Sequence, residues 1–262
     1  LFQELAASRR QAFGSAYLDG PYVEQFVGWK WAQAPGPTVI KAHMIGPMAM
    51  HALRTGEAKA VCTFRDPRDC VASDLIFMGG GLEHTIQRVN GSLEFLKHYQ
   101  NTPHILLVRY EDMMADRLGQ IRRIARHLNI NLDDSAAAKI DEKTNLESSK
   151  RLCSELKHRS SDQVLNIQSH RVDPETHLHE HHIGNARIGR WRDELSADQA
   201  RWLTEYFAHW LLQLGYETQD SLKAILATPR RSDRVPQSTA NTVVPANNLT
   251  GVFSMGAARS GN

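Results

Sequence analysis

The sequence predicts an α/β domain, a parallel sheet flanked by helices. Three short runs rich in β-branched and apolar residues read as buried strands: Thr38–His43, Val61–Arg65 and His104–Arg109. Stretches with helical periodicity separate them. Strands alternating with helices require parallel pairing through right-handed crossovers. At 262 residues the chain is long enough for one well-buried domain and short for two.

Taken in order, Leu1 to about Phe13 has a helical apolar pattern (Phe2, Leu5, Ala6), with Gly14 placed to end it. That pattern begins without a methionine, a cap or a turn, and a helix without a start signal predicts that the chain is a fragment. Gly20-Pro21 and Pro35-Gly36-Pro37 punctuate a loop-rich segment whose aromatic residues (Tyr17, Tyr22, Phe26, Trp29, Trp31) mostly suit core packing. A short helix near Pro47–Thr55 follows the first strand. Gly79-Gly80-Gly81 breaks the helix after the second strand, and Leu82 to Tyr99 reads as another. Leu118 to Leu128 places Ile121, Ile124, Ala125 and Leu128 on one face. Residues 136–165 read as polar and helical or irregular, and Gln168 to Gly189 as a histidine-rich loop. Ser196 to Leu214 is predicted as one helix, with Ser196 at the N-cap and Gln199 three residues on. These elements make residues 1–216 the folded domain. Residues 217–262, dominated toward their end by Ser, Asn, Thr, Gly and Ala, are predicted to be mostly disordered.

Composition sets outer limits. A net charge of +2 exerts no strong pull on nucleic acid, so any anion site must be local. Cys62, Cys70 and Cys153 are an odd count without metal-type spacing, which favours a reduced, cytoplasmic compartment. No apolar run approaches a membrane span.

The most informative stretch is Phe64-Arg65-Asp66-Pro67-Arg68-Asp69-Cys70-Val71-Ala72-Ser73. Here a strand runs directly into a helix start: Asp66 suits the N-cap, Pro67 the first turn, and Asp69 a box-like cap. Anions bind at such junctions in α/β folds, and Arg65 and Ser73 are placed to share one phosphate, or else to be ordinary surface groups. Lys41-Ala42-His43 ends another strand. There a histidine can act as a general base, with Lys41 projecting on the same face, unless the ring is simply a buried structural one. Arg109-Tyr110-Glu111-Asp112 follows the third strand, with Tyr110 a potential ligand contact and the carboxylates helix-capping groups. In Gly189-Arg190-Trp191-Arg192 a glycine allows close backbone approach and the arginines offer phosphate grips, against the alternative of a solvated basic loop. The run His177–His182 invites a metal reading, but tight sites draw ligands from separated segments, which favours a solvated loop.

In this order these four motifs resemble the sulfotransferases that use 3′-phosphoadenosine 5′-phosphosulfate (PAPS). The resemblance spans roughly residues 1–216. It implies a P-loop NTPase-like fold lacking its first strand and the loop that cradles the 5′-phosphosulfate, both expected upstream of Leu1. It implies PAPS as sulfonate donor without a metal, and a small-molecule or glycan acceptor. His43 would be the base and Lys41 a donor near the sulfonate. Arg65, Ser73 and Arg192 would hold the 3′-phosphate, with Gly189 in the same loop, and Tyr110 and Thr144 would lie near the adenine. The family's Arg-Lys-Gly is replaced here by Gly184-Asn185-Ala186-Arg187, so Arg187 is the residue left to supply that charge. Two other readings share much of this pattern: a P-loop kinase of a small molecule, and a non-catalytic nucleotide-binding domain if the fragment is the natural chain.

Overall fold

The computed structural model describes residues 15–17, 39–42, 45–78, 81–167, 170–174, 178–180, 183–184, 186–227 and 255–259. The helix predicted over 1–13, the aromatic-rich loop after Tyr17 and residues 228–254 lie outside the described residues. Contacts divide the chain into two compact units, one of residues 1–63, 99–186 and 253–262, the other of residues 64–98 and 187–252.

The first unit holds the sheet. Its strands are β1 (Ser15–Tyr17), β2 (Val39–Ala42), β3 (Ala58–Phe64, its last residue falling just past the unit boundary), β4 (Ile105–Arg109) and, from the far end of the chain, β7 (Met255–Arg259). The order is β1-β2-β7-β3-β4. β1 and β2 are parallel, while β7 runs antiparallel to both β2 and β3. The α/β class is the predicted one, and the antiparallel central strand is not. β7 comes from the segment predicted to be mostly disordered, and its small residues gave no strand signal. Alternation along β3 buries Ala58, Ala60 and Cys62, the period expected of a strand with one face on the core. Burial pushes the Cys62 thiol up to about 12, so it is a packing group rather than a nucleophile.

Helices α1 (Pro47–Thr55), α4 (Tyr110–Ala115), α5 (Arg117–His127), α6 (Asp134–Thr144) and α7 (Leu146–Leu156) belong to this unit, with a small hairpin of β5 (Leu165–Ile167) and β6 (His170–Val172). α1 matches its predicted span. Pro47 opens it, and Gly56, at φ 82°, closes it in the left-handed conformation that favours glycine. Asp116, Asp133 and Asn145 each accept a backbone N–H at the start of the next helix, which cuts one long polar stretch into three helices. α5 turns Ile121 and Ala125 inward, as its periodicity predicts. The hairpin falls where the sequence suggested irregular chain and loop.

The second unit is helical: α2 (Pro67–Met78), α3 (Leu82–Gln100, whose last two residues fall in the first unit), α8 (Trp191–Glu194), α9 (Ala197–Tyr206), α10 (Ala208–Gln213) and α11 (Gln219–Ala227). α2 packs on α8 and α9, and α9 on α11. Leu93, Leu96, Leu203, Phe207 and Leu211 are fully buried in it. The capping box of Ser196 and Gln199 forms as predicted, but the single predicted helix divides at Phe207. α11 carries regular structure past residue 216, and its Leu222 is buried, so the folded part runs at least eleven residues further than the predicted boundary. Among the described residues, no helix is long and apolar enough to cross a membrane.

Between α2 and α3 a buried ion pair replaces apolar packing. Arg88 Nε donates to Asp74 Oδ2 at 2.9 Å, and Arg88 Nη2 also reaches Thr85 Oγ1 at 3.1 Å. Removing one partner strands the other charge away from water. Asp74→Ala is therefore expected to destabilise the protein by about 3–5 kcal/mol, measured as the change in urea unfolding free energy.

Candidate anion site at the β3–α2 junction

β3 ends at Phe64, and the chain turns within two residues into α2. Asp66 Oδ1 accepts the Arg68 backbone N–H at 2.9 Å, and Cys70 N donates to Asp66 O at 3.0 Å, so the predicted N-cap is present. The Asp69 side chain does something else than the predicted cap. It is wholly buried, and its two oxygens accept three donors. Oδ2 takes Arg65 Nη2 at 2.7 Å and Gly189 N at 2.8 Å, and Oδ1 takes Trp191 N at 3.0 Å. A helix residue thus grips a turn more than a hundred positions away.

The two side chains predicted to share a phosphate meet that same turn. Arg65 Nη2 also donates to the Arg187 carbonyl at 2.5 Å, and Ser73 Oγ accepts Arg190 Nη1 at 3.2 Å. Asp69 and Ser73 are four apart on one face of α2, and Arg65, just before the helix, reaches the same loop. In the sequence pattern Arg190 is one of two arginines flanking Trp191. It is 7% exposed and bridges Ser73 and Glu194, a contact that the sequence does not signal. Arg187, the expected substitute charge, is half exposed and pairs with Asp193.

Arg192 lies on the tryptophan instead. Its Cζ is 4.2 Å from the Trp191 ring centroid, and Arg68 Cζ is 4.0 Å from the same ring. Arg68 is 1% exposed and is held by Asp66 through Nε at 3.1 Å and Nη2 at 2.7 Å, by Glu217 at 2.8 Å, and by Thr204 Oγ1 at 3.2 Å. Burial works against its charge, but Asp66 and Glu217 outweigh that and raise its pKa above the ordinary value. Gly189 has φ 74°, and a Cβ there would lie 2.7 Å from Arg192 Nη1. The turn and the Arg192 placement both rest on glycine.

The remaining predicted residues fall in the first unit. Tyr110 opens α4 and donates its hydroxyl to the Ala186 carbonyl at 2.9 Å. Thr144 Oγ1 donates to Ile140 O at 2.8 Å and accepts Arg117 Nη2 at 3.1 Å, a helix-end role with no ligand-facing feature of its own. Lys41 is in β2, opposite Tyr17 and Gly256 in register, and only its backbone is described. His43 lies outside the described residues, as do His177, His181 and His182. Among the described residues no group of three metal-ligating side chains gathers.

The family model described as "Sulfotransferase domain" matches residues 82–215, just over half of the chain. The chain belongs to the sulfotransferase domain family. Sulfotransferase 4A1 of mouse is 25% identical over 176 residues, covering 60% of this chain and 53% of the relative. The human protein of the same name is 24% identical over the same length and coverage. The chain thus spans about half the length of the curated relatives it matches. The crystal structure of mouse sulfotransferase SULT7A1 complexed with PAP superposes with a TM-score of 0.51 at 16% identity, covering 86% of this chain and 82% of that one. It shares the sulfotransferase fold. The family match takes in α3 through α10, including the whole 187–192 turn, while the strand-to-helix stretch holding Arg65, Asp69 and Ser73 lies just before it.

Gly189→Ala is expected to cost about 1–2 kcal/mol from the left-handed backbone alone, seen in urea unfolding.

Proposed function

We propose that this sulfotransferase-family chain moves a sulfonate from PAPS to an acceptor hydroxyl or amine on a small molecule or glycan, and that Arg65, Ser73 and the 187–192 turn hold the donor's 3′-phosphate. The observation that supports this best is the shared attachment of Arg65 and Ser73 to one turn, through the Arg187 carbonyl and the Arg190 guanidinium. Guanidiniums and a hydroxyl on one short arc suit a phosphate, which accepts bidentate and charge-assisted hydrogen bonds.

The roles of the other residues follow from the resemblance. His43 takes the acceptor's proton as its oxygen or nitrogen forms the new bond to sulfur. The bond between sulfur and the 5′-phosphate oxygen breaks, and the adenosine bisphosphate leaves with that electron pair. Lys41 offsets charge building on the transferring oxygens. Arg65, Ser73, Gly189 and Arg192 grip a remote part of the donor, so their binding energy positions the sulfur without touching it. Arg187 adds charge at the rim of that loop, and Tyr110 and Thr144 contact the adenine. No step calls for a metal, since lysine, histidine and arginine carry the electrostatics. A cytoplasmic setting is consistent with three buried cysteines that form no disulfide.

Sulfonation assays of the full-length protein with PAPS and a panel of phenol, alcohol, amine and glycan acceptors test the activity. Binding of 3′,5′-adenosine bisphosphate without transfer to any of them would leave a nucleotide-binding domain. Arg65→Ala is expected to weaken binding of that nucleotide by about 1–3 kcal/mol, read by titration calorimetry; unchanged affinity removes Arg65 from the site. His43→Ala is expected to lower turnover far more than donor affinity, and an equal loss in both would make the histidine structural.

A further inference from the structure

Asp69 has no part in the activity described above, and the sequence reads it as a helix cap. Its environment says otherwise. A carboxylate with no solvent exposure must have its charge and lone pairs satisfied locally. Here one donor comes from Arg65, in the junction just before α2, and two come from the backbone of the distant turn, Gly189 and Trp191. Both amides can aim at one carboxylate because Gly189 sits at φ 74°. Oδ2 is shared between Arg65 and Gly189, so the guanidinium and the turn are fixed to each other through a single atom.

We propose that Asp69 is a positioning residue that keeps the 187–191 turn closed on α2 in the ligand-free protein, so that Arg65 and the Ser73–Arg190 pair stand assembled before a phosphate arrives. The phosphate part rests on the donor reading above. The closed turn does not. The physical reason for such a latch is entropic: ordering each loop residue at the moment of binding costs about 1–2 kcal/mol in backbone freedom, and a turn ordered in advance removes that cost from the binding step. Asp69 touches no reacting atom; it acts through Arg65 and the turn.

Hydrogen exchange followed by mass spectrometry or NMR on the full chain, without nucleotide, reads the latch directly. The Gly189 and Trp191 amides are expected to be protected in the unmodified protein, and exchange there at unstructured-chain rates would overturn the proposal with no variant needed. Asp69→Asn keeps the volume but turns one acceptor into a donor facing donors. It is expected to speed exchange at those two amides at least tenfold, while the Leu203 amide in α9 stays protected. Equal acceleration at Leu203 would make Asp69 a general stability residue and overturn the proposal, as would unchanged exchange at Gly189 and Trp191. With 3′,5′-adenosine bisphosphate as the probe, Asp69→Asn should weaken binding at least tenfold and raise the donor KM by more than it lowers kcat. Wild-type affinity in that variant would overturn the link to the phosphate grip. If the unmodified protein binds no adenosine bisphosphate but the exchange results hold, the donor reading fails and the latch stands.

Discussion

Four charged residues in five positions, Arg65, Asp66, Arg68 and Asp69, are drawn out of water at the end of β3, and the second unit is arranged around keeping them paired. Asp69 and Arg68 are wholly or almost wholly buried, so each needs a full complement of partners. Those partners come from far along the chain. The 187–191 turn serves Asp69, and Thr204 and Glu217 serve Arg68. Burial of the charges on α2 is therefore what ties the C-terminal helices to it, together with apolar packing of α8 and α9.

Such pairs are weak evidence for stability, because desolvation offsets most of the attraction. What they supply here is direction. Apolar contact between α2 and α8 could be satisfied at several rotations, whereas two backbone amides and a guanidinium on one carboxylate are satisfied at one. Trp191 adds to this. Its ring carries the Arg68 and Arg192 guanidiniums, so the residue that anchors the turn also positions a cation within it. Fixed cations on a fixed turn would need little reorganisation to meet the proposed phosphate.

Much of the fold was legible because local rules and tertiary packing agreed. Pro47 and Gly56 bound α1, Ser196 and Gln199 start α9, and Asp66 starts α2, each by a cap that depends only on neighbours in sequence. The alternation of apolar runs with helical stretches was sufficient for the α/β class. Errors arose where distant segments decide. β7 has small residues and no strand pattern, and it becomes a strand by filling ladder bonds offered by β2 and β3. The division of the last predicted helix at Phe207, and the helix beyond residue 216, went unread because the apolar stripe persists through one and the polar tail masked the other. Arg65 and Ser73 stand out in the sequence by the strand–helix junction and the spacing of eight, and both meet the 187–190 turn. Arg190 was passed over in favour of Arg192, since spacing alone cannot say which of two arginines beside a tryptophan turns toward α2.

By itself the sequence determined the α/β class and the caps that bound several elements, because those properties depend on residue type and on neighbours within a few positions. The family followed from the same motifs. Only the tertiary structure decided that Asp69 accepts from a distant turn rather than capping α2, that Arg190 rather than Arg192 meets Ser73, and that a segment of small residues enters the sheet. A buried charge takes its partners from whatever the fold brings within about 3 Å, and no local pattern states which segment that will be.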